Sequence, residues 1–66
     1  AGLYQNFFEK AMTHLKDGGI LLLYTSEKAL IQKNCRRYPQ YHFRKEYLIN
    51  EKEKKSLFIL QMYRDR

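Results

Sequence analysis

Cys35, His14 and His42 are the side chains in this sequence best suited to covalent or acid–base chemistry. A nucleophilic cysteine needs an organised base, and a zinc site needs clustered thiol and imidazole ligands. The three residues are scattered, so neither arrangement is visible. Cys35 lies among Lys33, Arg36 and Arg37, cations of the kind that lower a thiol pKa. A half-buried packing cysteine remains the expectation. His14 falls at the end of a helical pattern, where a cation suits the helix dipole, and His42 falls inside a strand pattern. Without a partner or pocket in view, no residue is assigned as catalytic, metal-binding or cofactor-binding.

Two further groups bear on binding. Thr25 and Ser26 follow the apolar run Ile20–Tyr24. Hydroxyls at the carboxyl end of a strand can meet a ligand in an open α/β sheet. The plainer reading makes Ser26 an N-cap, its hydroxyl accepting from a helix N–H. Arg36, Arg37, Tyr38, Tyr41, His42 and Arg44 interleave cations with aromatics. Single-stranded nucleic acid binders combine phosphate contacts and base stacking in this way. Against that, Tyr38 and Tyr41 can simply close a helix onto a sheet.

These residues have to be positioned by a chain of only 66 residues, which allows one domain. A chain of about 60 residues buries roughly 60% of its unfolded surface, so a lone core is marginal. One cysteine permits no internal disulfide, and a single thiol fits a reducing, cytoplasmic setting. The net charge is +6, from 13 Lys and Arg against 7 Asp and Glu, and favours a polyanionic partner modestly. No apolar run reaches membrane-spanning length, and no signal peptide is evident, so no membrane partner is expected. The opening Ala-Gly, without Met, suggests a trimmed or excised product.

The spacing predicts a helix over residues 3–16, with Tyr4, Phe7, Phe8, Ala11, Met12 and Leu15 on one face. Asp17-Gly18-Gly19 stops it. Ile20–Tyr24 is apolar without alternation, the pattern of a strand covered on both faces. A second helix starts at Thr25-Ser26-Glu27, has an apolar side of Ala29, Leu30, Ile31, Cys35 and Tyr38, and ends near Arg37 ahead of Pro39. Tyr41–Asn50 alternates as a strand, with Lys45 breaking the pattern. Residues 56–63 form a more apolar strand. The last two strands should pair as an antiparallel hairpin, the later inside the sheet and the charged earlier one at its edge. The fold class is therefore α/β, in the order helix-strand-helix-strand-strand, with a mixed three-stranded sheet.

The stretch "FFEKAMTHLKDGGILLLYTS" resembles the late segment of class I, Rossmann-like S-adenosylmethionine-dependent methyltransferases. In that family a helix runs into Leu-Lys-Pro-Gly-Gly ahead of the fifth strand; here Leu15-Lys16-Asp17-Gly18-Gly19 carries Asp17 in the proline's place. The family continues with a helix, an edge sixth strand and an antiparallel seventh strand inserted between the fifth and sixth. Within the superfamily, "LYQNFFEKAMTHLKDGG", "LLLYTSEKALIQK", "KEYLI" and "SLFIL" are similar to RNA methylases of the THUMP-associated type. The resemblance covers Leu3 to about Tyr63.

The resemblance implies a parent enzyme that transfers a methyl group from S-adenosylmethionine to RNA, at a base nitrogen of guanine or adenine. The family's glycine-rich cofactor loop and its Asn/Asp-Pro-Pro-Tyr/Phe motif match nothing here. The glycines are Gly2, Gly18 and Gly19, and the one proline is Pro39. The implied reading is a single segment, residues 1–66, forming the C-terminal part of a methyltransferase domain whose cofactor-binding part is absent. Such a segment is expected to bind no cofactor and to catalyse nothing alone. Its expected partners are the missing part of its own domain, or another copy through an exposed apolar sheet edge. The rival is a complete small basic α/β domain that binds nucleic acid or a protein.

Overall fold

The computed structural model describes residues 2–64. Helix α1 (Leu3–His14) forms where the apolar spacing predicts one but stops at His14, with Leu15 already extended. Only Phe8 on α1 is fully buried; Tyr4, Met12 and Leu15 pack beside it, one turn apart along the same stripe.

The turn into β1 (Gly19–Thr25) depends on both glycines. Gly18 has φ +79°, and its N–H donates to the Met62 carbonyl at 2.6 Å. The nearest atom to an added Cβ is Tyr63 Cε1 at 3.8 Å, so space is not the obstacle. A Gly18→Ala variant should therefore lose about 1–2 kcal/mol from the left-handed backbone alone, read as a lower urea midpoint at unchanged slope. Gly19 is needed for proximity: a Cβ there would sit 2.8 Å from the Lys16 carbonyl oxygen. Asp17, where the resembled family has proline, accepts from the Arg64 N–H at 2.8 Å, and the Arg64 guanidinium donates to the Leu15 carbonyl. These bonds tie the turn to the end of the last strand.

Helix α2 (Lys28–Arg37) begins later than expected. Its N-cap is Glu27 and not Ser26, and no side chain caps it; instead Thr25 Oγ1 accepts from the Glu27 N–H at 3.1 Å. Its buried side also differs. Ile31 and Asn34 are buried, with Cys35 and Tyr38 partly so, while Ala29 and Leu30 face outward. Asn34 belongs to the stripe because it lies three residues after Ile31, and its amide is satisfied by the Leu30 carbonyl at 2.9 Å.

Strand β2 spans Tyr41–Asn50 and β3 spans Lys55–Met62. Asn50 Oδ1 accepts from the Glu53 N–H at 3.0 Å and shapes the connection between them. The sheet order is β1-β3-β2, so the apolar β3 lies inside and the charged β2 at an edge, as the patterns predict. Where Lys45 breaks the alternation, the register shifts between Phe43 and Lys45.

The structure corrects two further expectations, both about the sheet. The sheet is not mixed: β3 pairs antiparallel with both neighbours. β1 and β2 run the same way but do not touch, because β3 lies between them. Nor is β1 covered on both faces: its residues alternate between half-buried and exposed. Leu21 and Leu23 pack under the helices with Phe8, Ile31, Tyr41, Phe58, Leu60 and Met62. Ile20, Leu22 and Tyr24 are 50%, 56% and 51% exposed. The residues opposite them on β3 are Gln61, Ile59 and Leu57, all half-buried, so the face of the sheet away from the helices presents an apolar patch on β1 and β3 with polar Gln61 at its end.

Candidate functional site

The residues singled out in the sequence are placed apart by the fold and occupied mainly by structural work. Tyr41 is buried, donates to the Phe8 carbonyl at 2.7 Å and meets the Phe8 ring edge-on at 4.9 Å. Burial pushes its phenol up to about 12, with Cys35 and Tyr38 adding smaller repulsive contributions. Tyr38 donates its hydroxyl to Glu9 on α1. That bond, with a second from Gln5, holds the Glu9 carboxyl below its ordinary value. Both tyrosines thus tie α2 and β2 to α1: Tyr41 is buried, and Tyr38 is half-buried against the core.

Cys35 is half-buried between α2 and β2. Burial raises its thiol pKa, so desolvation outweighs the neighbouring cations that the sequence places beside it. It borders a groove of about 360 Å³ lined with Lys28, Gln32, Arg36, Phe43 and Glu46. Lys28 Nζ lies 2.8 Å from Glu46 Oε1 across that groove, pairing its charge within the wall. His14 is exposed at the end of α1. His42 stands edge-on to Tyr63 at 5.3 Å, and its Nε2 has no hydrogen-bond partner among the described residues. Arg44 donates to Gln61 Oε1 at 3.0 Å and to the Tyr63 hydroxyl at 3.3 Å. No group of His, Cys, Asp and Glu among the described residues could hold a metal ion. Nor is any helix of the described residues long and apolar enough to cross a membrane.

The carboxyl end of β1 is where an α/β sheet would place a ligand. Thr25 Oγ1 lies there, but it is 2.7 Å from Tyr4 Oη and also receives the Glu27 N–H. Ser26 is exposed beside it. The β1–α2 turn contains no glycine, and Gly18 and Gly19 are spent at the opposite end of the strand. S-adenosylmethionine therefore does not fit the residues present: no glycine turn lets backbone approach a bound nucleoside, and the hydroxyl nearest that position is already committed.

The feature of the molecule that most demands a partner is the uncovered face. Across it run three rows: Tyr24, Leu57 and Tyr47; Leu22, Ile59 and Lys45; Ile20, Gln61 and His42. Lys55 Nζ sits 5.8 Å from the centre of the Tyr24 ring, and Lys45 Nζ 5.9 Å from that of Tyr47. The sequence reading missed this one-sidedness because an apolar run with no alternation carries no information about which face is left bare. No family model, curated protein or solved structure matches the chain.

Proposed function

We propose that this chain is the C-terminal part of an S-adenosylmethionine-dependent methyltransferase domain that acts on RNA, at a base nitrogen of guanine or adenine. Its role in that domain is structural. It completes the sheet, and the cofactor and the catalytic motif are held by the portion of the domain that precedes it.

One observation carries the reading. Two strands run in the same direction, an antiparallel third strand is inserted between them, and the order is β1-β3-β2. That is the order expected from the resemblance at Leu15-Lys16-Asp17-Gly18-Gly19, where a helix, a glycine turn and an apolar strand follow one another. The bare face supports it further. Apolar side chains left exposed side by side, here Ile20, Leu22 and Tyr24, can mark an interaction surface, and in an α/β sheet the natural cover is more helices. RNA as substrate is supported by the net charge of +6 and by the exposed cations of α2 and β2, among them Lys33, Arg36, Arg37 and Lys45.

The test is to express the reading frame that contains these residues together with all that it encodes upstream, and to assay transfer of a labelled methyl group from S-adenosylmethionine to RNA. Transfer to RNA by the longer protein, and none by the 66-residue chain, is the expected result. Salt-sensitive RNA binding by the short chain, with no methyl transfer by the longer one, would favour a self-standing basic binding module instead.

A further inference from the structure

The two edges of the sheet are built on opposite principles. Edge strand β2 carries Arg44, Lys45 and Glu46 and two register shifts, devices that discourage another strand from adding to it. Edge strand β1 has none of them. Its sequence, Gly-Ile-Leu-Leu-Leu-Tyr-Thr, contains no charge and no proline, and its pairing with β3 is regular over seven residues. Among the described residues nothing pairs with its other side.

The surroundings of that edge are apolar on both faces of the sheet. On one side stand the exposed Ile20, Leu22 and Tyr24. On the other, Leu3, Tyr4, Phe7 and Leu23 line an apolar groove of about 360 Å³, with Leu3 84% and Phe7 43% exposed. Most of the cations lie on α2, on β2 and in the β2–β3 connection, among them Lys33, Arg36, Arg37, Arg44, Lys45, Lys52 and Lys54; Lys55 reaches β1, where its ammonium sits over the Tyr24 ring. An apolar, uncharged strand suits these surroundings, and β1 itself is one.

We propose that the 66-residue chain forms a two-fold dimer in which β1 pairs antiparallel with β1 of a second copy, joining the two sheets into one of six strands. Centred on Leu22, the register sets Ile20 against the partner's Tyr24 and Leu21 against the partner's Leu23. Apolar residues then match on both faces and no charge meets its like within the seven-residue overlap. Two chains of charge +6 can approach along this edge because the strand itself carries no charge, and the two-fold register sets each Tyr24, with Lys55 over its ring, against the partner's Ile20 and not against the partner's Tyr24. The exposed Leu3 and Phe7 of each copy come to lie over the new seam, where the partner's side chains fill the groove.

The proposal stands on the edge itself and does not need the methyltransferase reading. Sedimentation equilibrium of the 66-residue chain should give twice its 8.1 kDa. Leu22→Lys puts an ammonium at the two-fold centre on a side chain that is already exposed, and should give a folded monomer by circular dichroism. Ile49→Lys, at an exposed apolar residue of the other edge, should remain dimeric. Should Leu22→Lys fail to fold, amide exchange on the unaltered chain decides. Alternate β1 amides should gain protection as concentration rises, and those of β2 should not. A monomeric unaltered chain, open-ended association, a dimer that survives Leu22→Lys, or protection on β2 alone would each overturn the proposal. A longer chain that supplies its own strand at this edge should be monomeric there, and its lack of methyltransferase activity would leave the dimer result untouched.

Discussion

Replacing Phe8 by alanine is expected to remove the cooperative unfolding transition of this chain. Phe8 is fully buried and is the one side chain of α1 that reaches the centre of the core. The Tyr41 ring packs edge-on against it, and Tyr41 also bonds its backbone carbonyl, so α1 and β2 meet at this residue. Truncating a buried Phe to Ala costs about 3–5 kcal/mol, through lost burial and the cavity left behind. At roughly 0.05–0.15 kcal/mol per residue, a chain of this length has about 3–10 kcal/mol in total. The loss is thus comparable with everything that holds the fold. A near-ultraviolet circular dichroism melt checks it. A flat baseline is expected, and a transition within a few degrees of the unaltered chain would show that α1 is not anchored through Phe8.

The second large effect belongs to Tyr41 and depends on pH. Tyr41→Phe removes the hydroxyl that bonds the Phe8 carbonyl at 2.7 Å, and near neutrality should cost about 1–2 kcal/mol. In the fold, burial raises the phenol from about 10 to about 12. The folded pKa lies above the unfolded one, so the neutral phenol's contribution is complete below about pH 10 and is lost as pH rises through about 12. The stability gap between the two proteins should therefore hold up to about pH 10 and close as pH approaches 12. Urea midpoints of both proteins across that range provide the check. Other ionising tyrosines act on both alike, so a gap that stays constant would mean that Tyr41 titrates as an ordinary phenol.

Much of the fold was legible because the local signals were strong and agreed with one another. The stripe through Tyr4, Phe8 and Met12, the Gly18-Gly19 stop, the Pro39 break and the charge contrast between β2 and β3 each follow from a local rule, and together they define the strand order. Three features escaped for physical reasons. Asn34 is buried, and a polar residue enters a core stripe only because a neighbouring carbonyl satisfies its amide, which composition does not reveal. The helix begins one residue after the expected Ser26 cap, with Glu27 at the N-cap position and its N–H bonded to the Thr25 hydroxyl, a local arrangement that residue type alone does not specify. The bare face of β1 could not be read from an unbroken apolar run: side chains alternate along any strand, but when all of them are apolar the sequence does not say which set lacks cover. Of the candidate side chains, His14, Cys35 and His42 lie on three different elements, α1, α2 and β2, and the interleaved Tyr38 and Tyr41 pack against the core, the plainer of the two readings their spacing allowed.

The central claim is that these residues complete the sheet of a methyltransferase whose cofactor site lies in the preceding part of the same domain. Its most direct test is calorimetric titration of S-adenosylmethionine into the protein encoded by the whole reading frame, beside the 66-residue chain. The account predicts saturable one-to-one binding by the longer protein, a glycine-rich loop in its upstream sequence, and no binding by the short chain. A longer protein that is folded and does not bind S-adenosylmethionine, or a frame that opens at the first residue, would contradict it.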